Sequence, residues 1–265
     1  MCGIAGYVGT RVISADRIEQ TVELIRRRGP DQRAHRHFET PSGRHVDLLF
    51  ARLSIVDLDP RSSQPFNLGD SWIVFNGEVY NFAELRAELE RAGYGFRTTS
   101  DTEVLARALS HFGPRTALDK AEGMWAFATY DEKSGALVLS RDRFGEKPLY
   151  FVEDSHGITF GSEVKLVSAL RGERLAIDLD HVKRYLVNGY KALYKQPTHF
   201  FQRLEELPAA SMMTIDPEGR RTTERYWTPA YAPEESMSRD EAVAATRAAL
   251  PNTIMLAVLS ASAHP

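Results

Sequence analysis

The segment MWAFATYDEKSGALVLSRD constrains the fold most, because two runs rich in β-branched and aromatic residues are joined by a short turn at 131–135. Two such runs so close together form an antiparallel hairpin. PLYFVEDSHGITFGS repeats the pattern with a turn at 154–157, and SMMTIDPEGRRTTERYW repeats it around Asp-Pro-Glu-Gly. The sequence therefore predicts antiparallel sheets, not the parallel sheet of an alternating βαβ chain.

Helices are predicted in blocks apart from these hairpins. Helical spacing and end signals mark SADRIEQTVELIRRRG, NFAELRAELERAG, SDTEVLARALSHFG and LDHVKRYLVNG. Ser100 and Glu103 match a capping box at the start of the third helix, in which each side chain bonds the other residue's backbone amide. Further strands are predicted for VDLLFARLSIVD and SWIVFNGEVY. This separation of helices and strands predicts an α+β chain with stacked layers.

Composition excludes several classes of partner and site. The net charge of -3 over 265 residues gives no basic surface for nucleic acid or anionic lipid. The chain contains no apolar run of about 18 residues, so no membrane span is predicted. Its start lacks a secretory pattern, and we therefore expect a cytoplasmic protein. One cysteine forms no internal disulfide, and the eight histidines lack metal-ligand spacing. His35 and His37 would share one face of a strand, as surface residues.

The only cysteine is the second residue of the chain. Removal of Met1 is expected because the Cys2 side chain is small. Cys2 would then carry a thiol, with an ordinary pKa of about 8.5, beside an α-amine with a pKa of about 7.7–8.0. These values allow a single residue to supply both nucleophile and general base. The alternative is a small buried apolar side chain near a chain end.

The string CGIAGYVG resembles the amino terminus of class II glutamine amidotransferases, which are N-terminal-nucleophile hydrolases. The resemblance continues in order through RRGPDQ, ARLSIVD, QPF, FNGEVYNFAELR, SDTEVL, EGMWAFATYD, RDRFGEKPLY and FGSEVK. RGPD resembles the glutamine-hydrolysing asparagine synthetase branch of the class. The resemblance covers roughly residues 2–227, and it implies a four-layer αββα sandwich of antiparallel sheets.

The resemblance also implies catalytic roles for Cys2, Asn76 and Gly77. Cys2 corresponds to the nucleophile. The Asn76 side-chain amide and the Gly77 backbone N–H correspond to the donors that bind the oxyanion of the tetrahedral intermediate, and both residues belong to the glutamine-binding set. Donors fixed in this way commonly lower a barrier by about 3–4 kcal/mol. Without the resemblance, Asn76-Gly77 also fits a two-residue hairpin turn.

The same resemblance assigns the remaining glutamine-binding residues. Arg52 corresponds to the arginine that holds the α-carboxylate, and its planar guanidinium suits a bidentate contact. Asp101 corresponds to the acid that holds the α-ammonium, with Glu78 beside it, and the backbone of Ile55 and Val56 lines the pocket. Asp101 also fits the first turn of a helix, where a carboxylate is favourable, and both roles can hold together.

The end of the chain departs from the family pattern. We expect a glutaminase domain over residues 1–227, a linker over 228–241, and a remnant of the start of a synthetase domain over 242–265. EAVAATRAAL predicts a short helix and TIMLAVLS an apolar strand. Residues 261–265 then replace a phosphate-binding S-G-G-x-D-S motif, so ATP chemistry is not predicted for this chain. A second departure is ELPAAS, where the family usually has Pro-Gly.

The predicted reaction is hydrolysis of the glutamine side-chain amide to glutamate and ammonia through a thioester on Cys2. The ammonia is destined for a carboxylate acceptor, as in asparagine synthesis. No cofactor or metal is expected for this step, and ATP and Mg enter only with a separate synthetase partner. Glutamine and a synthetase subunit or domain are the expected partners, nucleic acid and membrane are not, and a homodimer is left open.

Two other readings of the function stay open. The chain could be a weakly active or non-catalytic subunit that docks on a separate synthetase partner. It could also be an amidase for another substrate, although the pair Arg52 and Asp101 fits a free α-amino acid better. A stand-alone glutaminase, a split enzyme and a truncated or frameshifted chain are equally compatible with the C-terminal sequence.

Overall fold

The computed structural model describes residues 2–54, 57–194, 196–233 and 236–262. Within these residues the chain forms twelve strands and seven α-helices. The strands are β1 (Gly3–Gly9), β2 (Gln32–Glu39), β3 (His45–Arg52), β4 (Phe66–Leu68), β5 (Ser71–Val79), β6 (Gly123–Asp131), β7 (Leu137–Arg141), β8 (Tyr150–Asp154), β9 (Gly157–Gly161), β10 (Glu205–Glu206), β11 (Ser211–Ile215) and β12 (Arg221–Arg225). The helices are α1 (Ala15–Ile25), α2 (Phe82–Arg91), α3 (Asp101–Phe112), α4 (Pro114–Lys120), α5 (Val164–Arg171), α6 (Leu179–Asn188) and α7 (Arg239–Ser262).

The strands form two six-stranded antiparallel sheets. The first has the order β10-β8-β9-β1-β3-β2 and the second the order β12-β11-β7-β6-β5-β4. The three predicted hairpins are β6–β7, β8–β9 and β11–β12. The first strand of the chain, β1, is internal to its sheet, because β3 and β9 pair with its two edges.

The sheets and helices stack in four layers. The two sheets share a core that contains Ile4 and Phe50 of the first sheet with Val74 and Met213 of the second. Helices α1 and α5 bury their apolar faces on the outside of the first sheet. Helices α2, α3 and α4 do the same on the second sheet, around the buried side chain of Trp125. The αββα sandwich implied by the resemblance is therefore confirmed.

The start of α3 differs from the predicted capping box. Ser100 does cap the helix, because its Oγ atom accepts a hydrogen bond from the Thr102 amide at 3.2 Å. The reciprocal half is wrong: the Glu103 carboxylate accepts from the backbone amides of Arg97 and Thr98, at 3.1 and 2.8 Å. The chain before α3 folds back over the first turn of the helix. The amides of Arg97 and Thr98 therefore take the place at the Glu103 carboxylate that the Ser100 amide was predicted to take.

Strand β2 was not predicted, and it lies at the edge of the first sheet. Its sequence, QRAHRHFE, is mostly polar, so it lacks the apolar pattern of an internal strand. His35 and His37 share one face, as expected. Both bond the Oδ1 atom of buried Asp47, at 2.8 and 2.9 Å, so they are partners of a buried carboxylate and not only surface residues.

The ELPAAS loop contains a residue in the left-handed region, Ala210, with φ 56°. A residue with a Cβ pays roughly 1–2 kcal/mol there, whereas glycine does not. The Ala210 amide donates to the Asp142 carbonyl at 2.7 Å, and its carbonyl accepts from the Tyr226 amide at 2.8 Å. These two bonds hold the loop in a conformation that glycine would adopt at lower cost.

The C-terminal segment forms one long helix, α7, where a short helix and a strand were predicted, so the predicted strand is wrong. Alanine, leucine and methionine in this segment are strong helix formers. A helix also satisfies its own backbone, whereas a strand needs a neighbour. The described residues between 228 and 238 contain no helix or strand, and the division at residue 227 stays a prediction. Within the described chain, α7 included, we find no helix long and apolar enough to cross a membrane.

Candidate active site

A cavity of about 90 Å³ opens where the ends of β1 and β3 meet the middle of β5 and the start of α3. Most of the residues implied by the resemblance line it. They are Cys2, Arg52, Asn76, Gly77, Glu78 and Asp101. Ile55 and Val56 lie outside the described residues. The structure thus brings together side chains that are up to a hundred residues apart in the sequence.

Cys2 lies at the cavity wall just before β1. Its carbonyl accepts a hydrogen bond from Arg28 Nε at 2.9 Å, and Arg28 forms an ion pair with Glu163 at 2.9 Å. The Cys2 Sγ atom lies 3.4 Å from the backbone N of Leu53. Burial raises the pKa of the thiol, which the Leu53 amide partly opposes. The thiol therefore needs a base to become a nucleophile at neutral pH.

The RGPD motif holds the backbone that Cys2 contacts. The Asp31 amide donates to the Arg52 carbonyl at 3.0 Å, and the Asp31 carboxylate accepts from the Ser54 amide at 2.7 Å. Gly29 packs directly on the backbone of β3, where an added Cβ would lie 2.3 Å from the Ala51 carbonyl carbon. The motif therefore fixes the end of β3, which carries Arg52 and Leu53 into the cavity.

The edge of β5 provides the donors at the centre of the cavity. β4 pairs only with residues 71–73, so the edge of β5 from 75 to 79 is left without a strand partner on that side. Backbone amides at alternate residues of an antiparallel strand point to the same edge. The amides of Phe75 and Val79 on this edge bond the side chains of Gln64 and Asp101, at 2.6 and 3.0 Å. The Gly77 amide points the same way, between them.

Asn76 and Gly77 have properties expected of oxyanion donors. Asn76 is 1% exposed, and among the described residues its buried Nδ2 atom has no hydrogen-bond partner. A buried amide donor without an acceptor is costly, which makes it suited to receive one from a ligand. Gly77 packs on β6, where an added Cβ would lie 2.2 Å from the Met124 carbonyl oxygen. Asn76-Gly77 lies inside β5, so the hairpin-turn alternative is wrong.

Arg52 borders the cavity and also holds the loop that follows β3. Its Nη2 atom donates to Ser62 Oγ at 2.7 Å and to the Asp57 carbonyl, and its Nη1 atom donates to the Asp59 carbonyl at 3.4 Å. A guanidinium carries five N–H donors in a fixed plane. The loop contacts therefore set the orientation of the Arg52 guanidinium in the cavity wall.

Asp101 is the buried acid of the cavity. Burial raises the pKa of its carboxyl to about 6; the Val79 amide opposes this rise and the nearby Glu78 charge adds to it. Asp101 is the first residue of α3, so the helix role considered from the sequence is also present. A cation placed beside the carboxyl would lower this pKa and favour the ionised form.

Several cavity residues were not predicted as site residues. They are Leu53, Ser62, Gln64, Phe75, Ser100, Thr102, Met124 and Lys147. Gln64 and Lys147 lie in the motifs QPF and RDRFGEKPLY, so the family motifs could have marked these two residues as site candidates.

The RDRFGEKPLY motif also holds its own loop in place. Within it, the Asp142 carboxylate accepts from four backbone amides, including those of Trp125 and Lys147 at 3.2 and 3.0 Å. In the part of the chain that the structure describes, no cluster of three histidine, cysteine or acidic residues could hold a metal ion.

Relatives of known sequence resemble this chain over nearly all of its length. Asparagine synthetase [glutamine-hydrolyzing] 1 of Bacillus subtilis is 33% identical over 261 residues, which cover 96% of this chain and 39% of the relative. Asparagine synthetase [glutamine-hydrolyzing] 3 of the same organism is 29% identical over 267 residues, covering 98% and 42%. The chain therefore spans about two fifths of the length of these relatives.

A solved structure and a sequence family agree with this similarity. The glutamine phosphoribosylpyrophosphate amidotransferase of B. subtilis superimposes with a TM-score of 0.62 at 18% identity, covering 86% of this chain and 50% of that chain, which shows a shared fold. Residues 1–227 match the family described as a glutamine amidotransferase domain. This chain therefore belongs to the glutamine amidotransferase domain family and is homologous to glutamine-hydrolysing asparagine synthetases.

Proposed function

We propose that this chain hydrolyses the side-chain amide of glutamine to glutamate and ammonia, with Cys2 as the nucleophile. The observation that carries the proposal is the buried Nδ2 donor of Asn76, which has no partner among the described residues and lies at the same cavity as the Cys2 thiol. An amide hydrolase needs a nucleophile and a fixed donor for the oxyanion that its attack creates. Arg52 and Asp101 add the opposite charges that match the α-carboxylate and α-ammonium of glutamine.

The reaction proceeds in two steps once Met1 has been removed. The α-amine of Cys2 takes the thiol proton, and the thiolate attacks the amide carbon of glutamine. Asn76 Nδ2 and the Gly77 amide bind the resulting oxyanion. The intermediate collapses to a γ-glutamyl thioester, and the amine returns its proton to the departing ammonia. Water, deprotonated by the same amine, then hydrolyses the thioester to glutamate and the free thiol.

The relatives support a proposal for the fate of the ammonia. Both B. subtilis relatives are named as glutamine-hydrolysing asparagine synthetases, and each is more than twice as long as the part that this chain matches. We propose that the ammonia amidates a carboxylate acceptor, as in asparagine synthesis, in a synthetase domain or subunit outside the described residues. ATP and Mg would act there.

The test measures ammonia release from glutamine by the purified chain, together with its intact mass. We expect loss of Met1 from the mass and a γ-glutamyl adduct on Cys2 in acid-quenched samples. Cys2→Ala should lower the rate by at least about 10³-fold, because removal of a nucleophile removes the covalent route. A retained Met1, or ammonia release that Cys2→Ala leaves unchanged, contradicts the proposal.

A second candidate function is a weakly active subunit that docks on a separate synthetase partner. The observation that favours it is a strip of exposed apolar side chains on α6 and the following 3-10 helix, Leu179, Leu186, Val187 and Tyr190. A turnover of about 1 s⁻¹ or more by the chain alone would be ordinary for an enzyme and would rule this candidate out.

A further inference from the structure

Gln64 occupies the place of a missing strand residue at the edge of β5. β4 and β5 pair Phe66 with Ile73 and Leu68 with Ser71, so the same register would set Gln64 opposite Phe75. The backbone of Gln64 does not continue the ladder; its side chain does. Gln64 Oε1 accepts from the Phe75 amide at 2.6 Å, in the position that a strand carbonyl would take. The donor at Phe75 also fixes which end of the Gln64 amide is the oxygen.

The other end of the Gln64 side chain reaches α3. Its Nε2 atom donates to Thr102 Oγ1 at 3.2 Å, and Thr102 is the neighbour of Asp101. Asp101 in turn accepts from the Val79 amide at 3.0 Å. Two side-chain contacts therefore hold β5, one before and one after residues 76–78. Gln64 itself is buried, so water does not compete strongly for its bonds.

We propose that Gln64 is a positioning residue for glutamine hydrolysis, and this inference rests on the proposed function. Its bond to the Phe75 amide sets the direction of the Asn76 side chain and the Gly77 amide, which bind the oxyanion. Its bond to Thr102 ties these donors to the helix start that carries Asp101. The proposed oxyanion donors and the carboxylate proposed to bind the ammonium are thereby held in a fixed relative position.

The two bonds predict different kinetic effects, because one supports the oxyanion donors and the other supports Asp101. Gln64→Met keeps the length of the side chain and removes both bonds. We expect kcat per active site to fall by about tenfold, with active sites counted by alkylation of Cys2. Thr102→Val removes only the second bond, so KM should rise about threefold with kcat unchanged. Gln64→Glu keeps an acceptor for Phe75 and should retain kcat within about threefold of wild type.

An aldehyde analogue of glutamine separates positioning from a merely structural role. Such an aldehyde adds to the Cys2 thiol and forms a tetrahedral adduct whose oxygen needs the same donors. In Gln64→Met the affinity for the aldehyde should fall about tenfold more than the affinity for glutamine. The reason is that a transition-state analogue depends on the alignment of the oxyanion donors, whereas bound glutamine does not. Gln202→Met is the matched control, because the Gln202 amide bonds the Ile177 carbonyl away from the cavity and should leave both values unchanged.

The outcomes separate this inference from the proposed function. No ammonia release by wild type contradicts both. Wild-type activity with an unchanged kcat in Gln64→Met, or equal losses of aldehyde and glutamine affinity, contradicts the positioning role alone. If Gln64→Met does not fold, Gln64→Glu and Thr102→Val still decide. A tenfold loss of kcat in both variants contradicts the division of labour proposed for Gln64. So does a Thr102→Val variant in which neither kcat nor KM changes.

Discussion

The edge of β5 and the strip on α6 depart from ordinary burial in opposite directions. At the β5 edge, polar groups are buried: Asn76 is 1% exposed and Asp101 is 6% exposed. On α6, apolar groups are exposed: Leu186 is 77% and Val187 82% exposed. Folded proteins usually place these two kinds of side chain the other way round. Both regions therefore carry an energetic cost that the fold tolerates.

The difference lies in what each region does with its unusual side chains. The β5 backbone that carries Asn76 is held by directional hydrogen bonds from its own amides to the Gln64 and Asp101 side chains, so a small change in geometry there should alter a reaction rate. The exposed apolar groups lie on α6 and on the neighbouring 3-10 helix at 189–194. Apolar contact is not directional. Changes at the β5 edge should therefore affect chemistry, and changes on α6 should not.

Among the tests of this contrast between β5 and α6, the largest effect is expected for Asn76→Ala. Loss of an oxyanion donor commonly lowers kcat about 10²–10³-fold. Stability should stay equal or rise, because the substitution removes a buried donor that has no partner among the described residues. Steady-state glutamine hydrolysis and thermal melting measure the two effects.

Asn81→Ala is the matched control for this substitution. The Asn81 side chain bonds the Lys120 carbonyl and the Glu122 amide, both at 2.9 Å and away from the cavity. It should lose stability and keep its kcat, the reverse of Asn76→Ala. If both variants lose rate and stability together, the contrast between chemistry and structure at Asn76 is wrong.

A smaller effect is expected from the charge of Asp101. Its carboxyl pKa is about 6, so it is mostly ionised at pH 7 and mostly protonated at pH 5. The protonated form does not attract an ammonium. In Cys2→Ala, which binds glutamine without turning it over, the Kd should rise about tenfold between pH 7 and pH 5. Calorimetric titration measures it, and a pH-independent Kd would show that Asp101 does not hold the ammonium.

The same pKa predicts that ionised Asp101, which favours glutamine binding, lowers the stability of the folded chain. The Asp101 pKa is raised above its ordinary value of 3.8, so the folded state favours the protonated form. This contribution is fully present below pH about 3.8 and is lost as the pH rises through about 6. Asp101→Asn is neutral at every pH, so its Tm should exceed that of wild type at pH 7.5 and approach it at pH 4. A Tm difference that does not change with pH contradicts the expectation.

The smallest effect is expected on α6. Leu186→Ala should change the free energy of unfolding by no more than about 0.5 kcal/mol and leave kcat unchanged, because the side chain is already exposed. Leu170→Ala on α5 is the matched control: Leu170 is fully buried, and its loss should cost about 2–5 kcal/mol. Urea denaturation compares them. A large loss of stability in Leu186→Ala would mean that the strip packs within the chain.

The sequence predicted several residues that the structure brings together around one cavity, and their catalytic roles stay predictions. Cys2, Asn76 and Asp101 lie in distinctive motifs, and their side chains meet in one cavity. The hairpins were predictable because two strands close together in sequence have few other ways to pair. Gln64 lies in the QPF motif, but its contact with Phe75 was missed because that contact depends on where β4 begins, which no local pattern records. The tail strand failed because an apolar segment without turn signals fits helix and strand alike.

The internal position of β1 has a consequence for maturation on the ribosome. The Ile4 amide bonds Ser162 Oγ, a residue 158 positions later in the chain. The first strand synthesised therefore lacks one of its two neighbours until most of the domain has been translated. The proposed function requires a free amine at Cys2. Until β9 has been translated, the sheet around β1 is incomplete, so the proposed removal of Met1 would take place before the fold around Cys2 is complete.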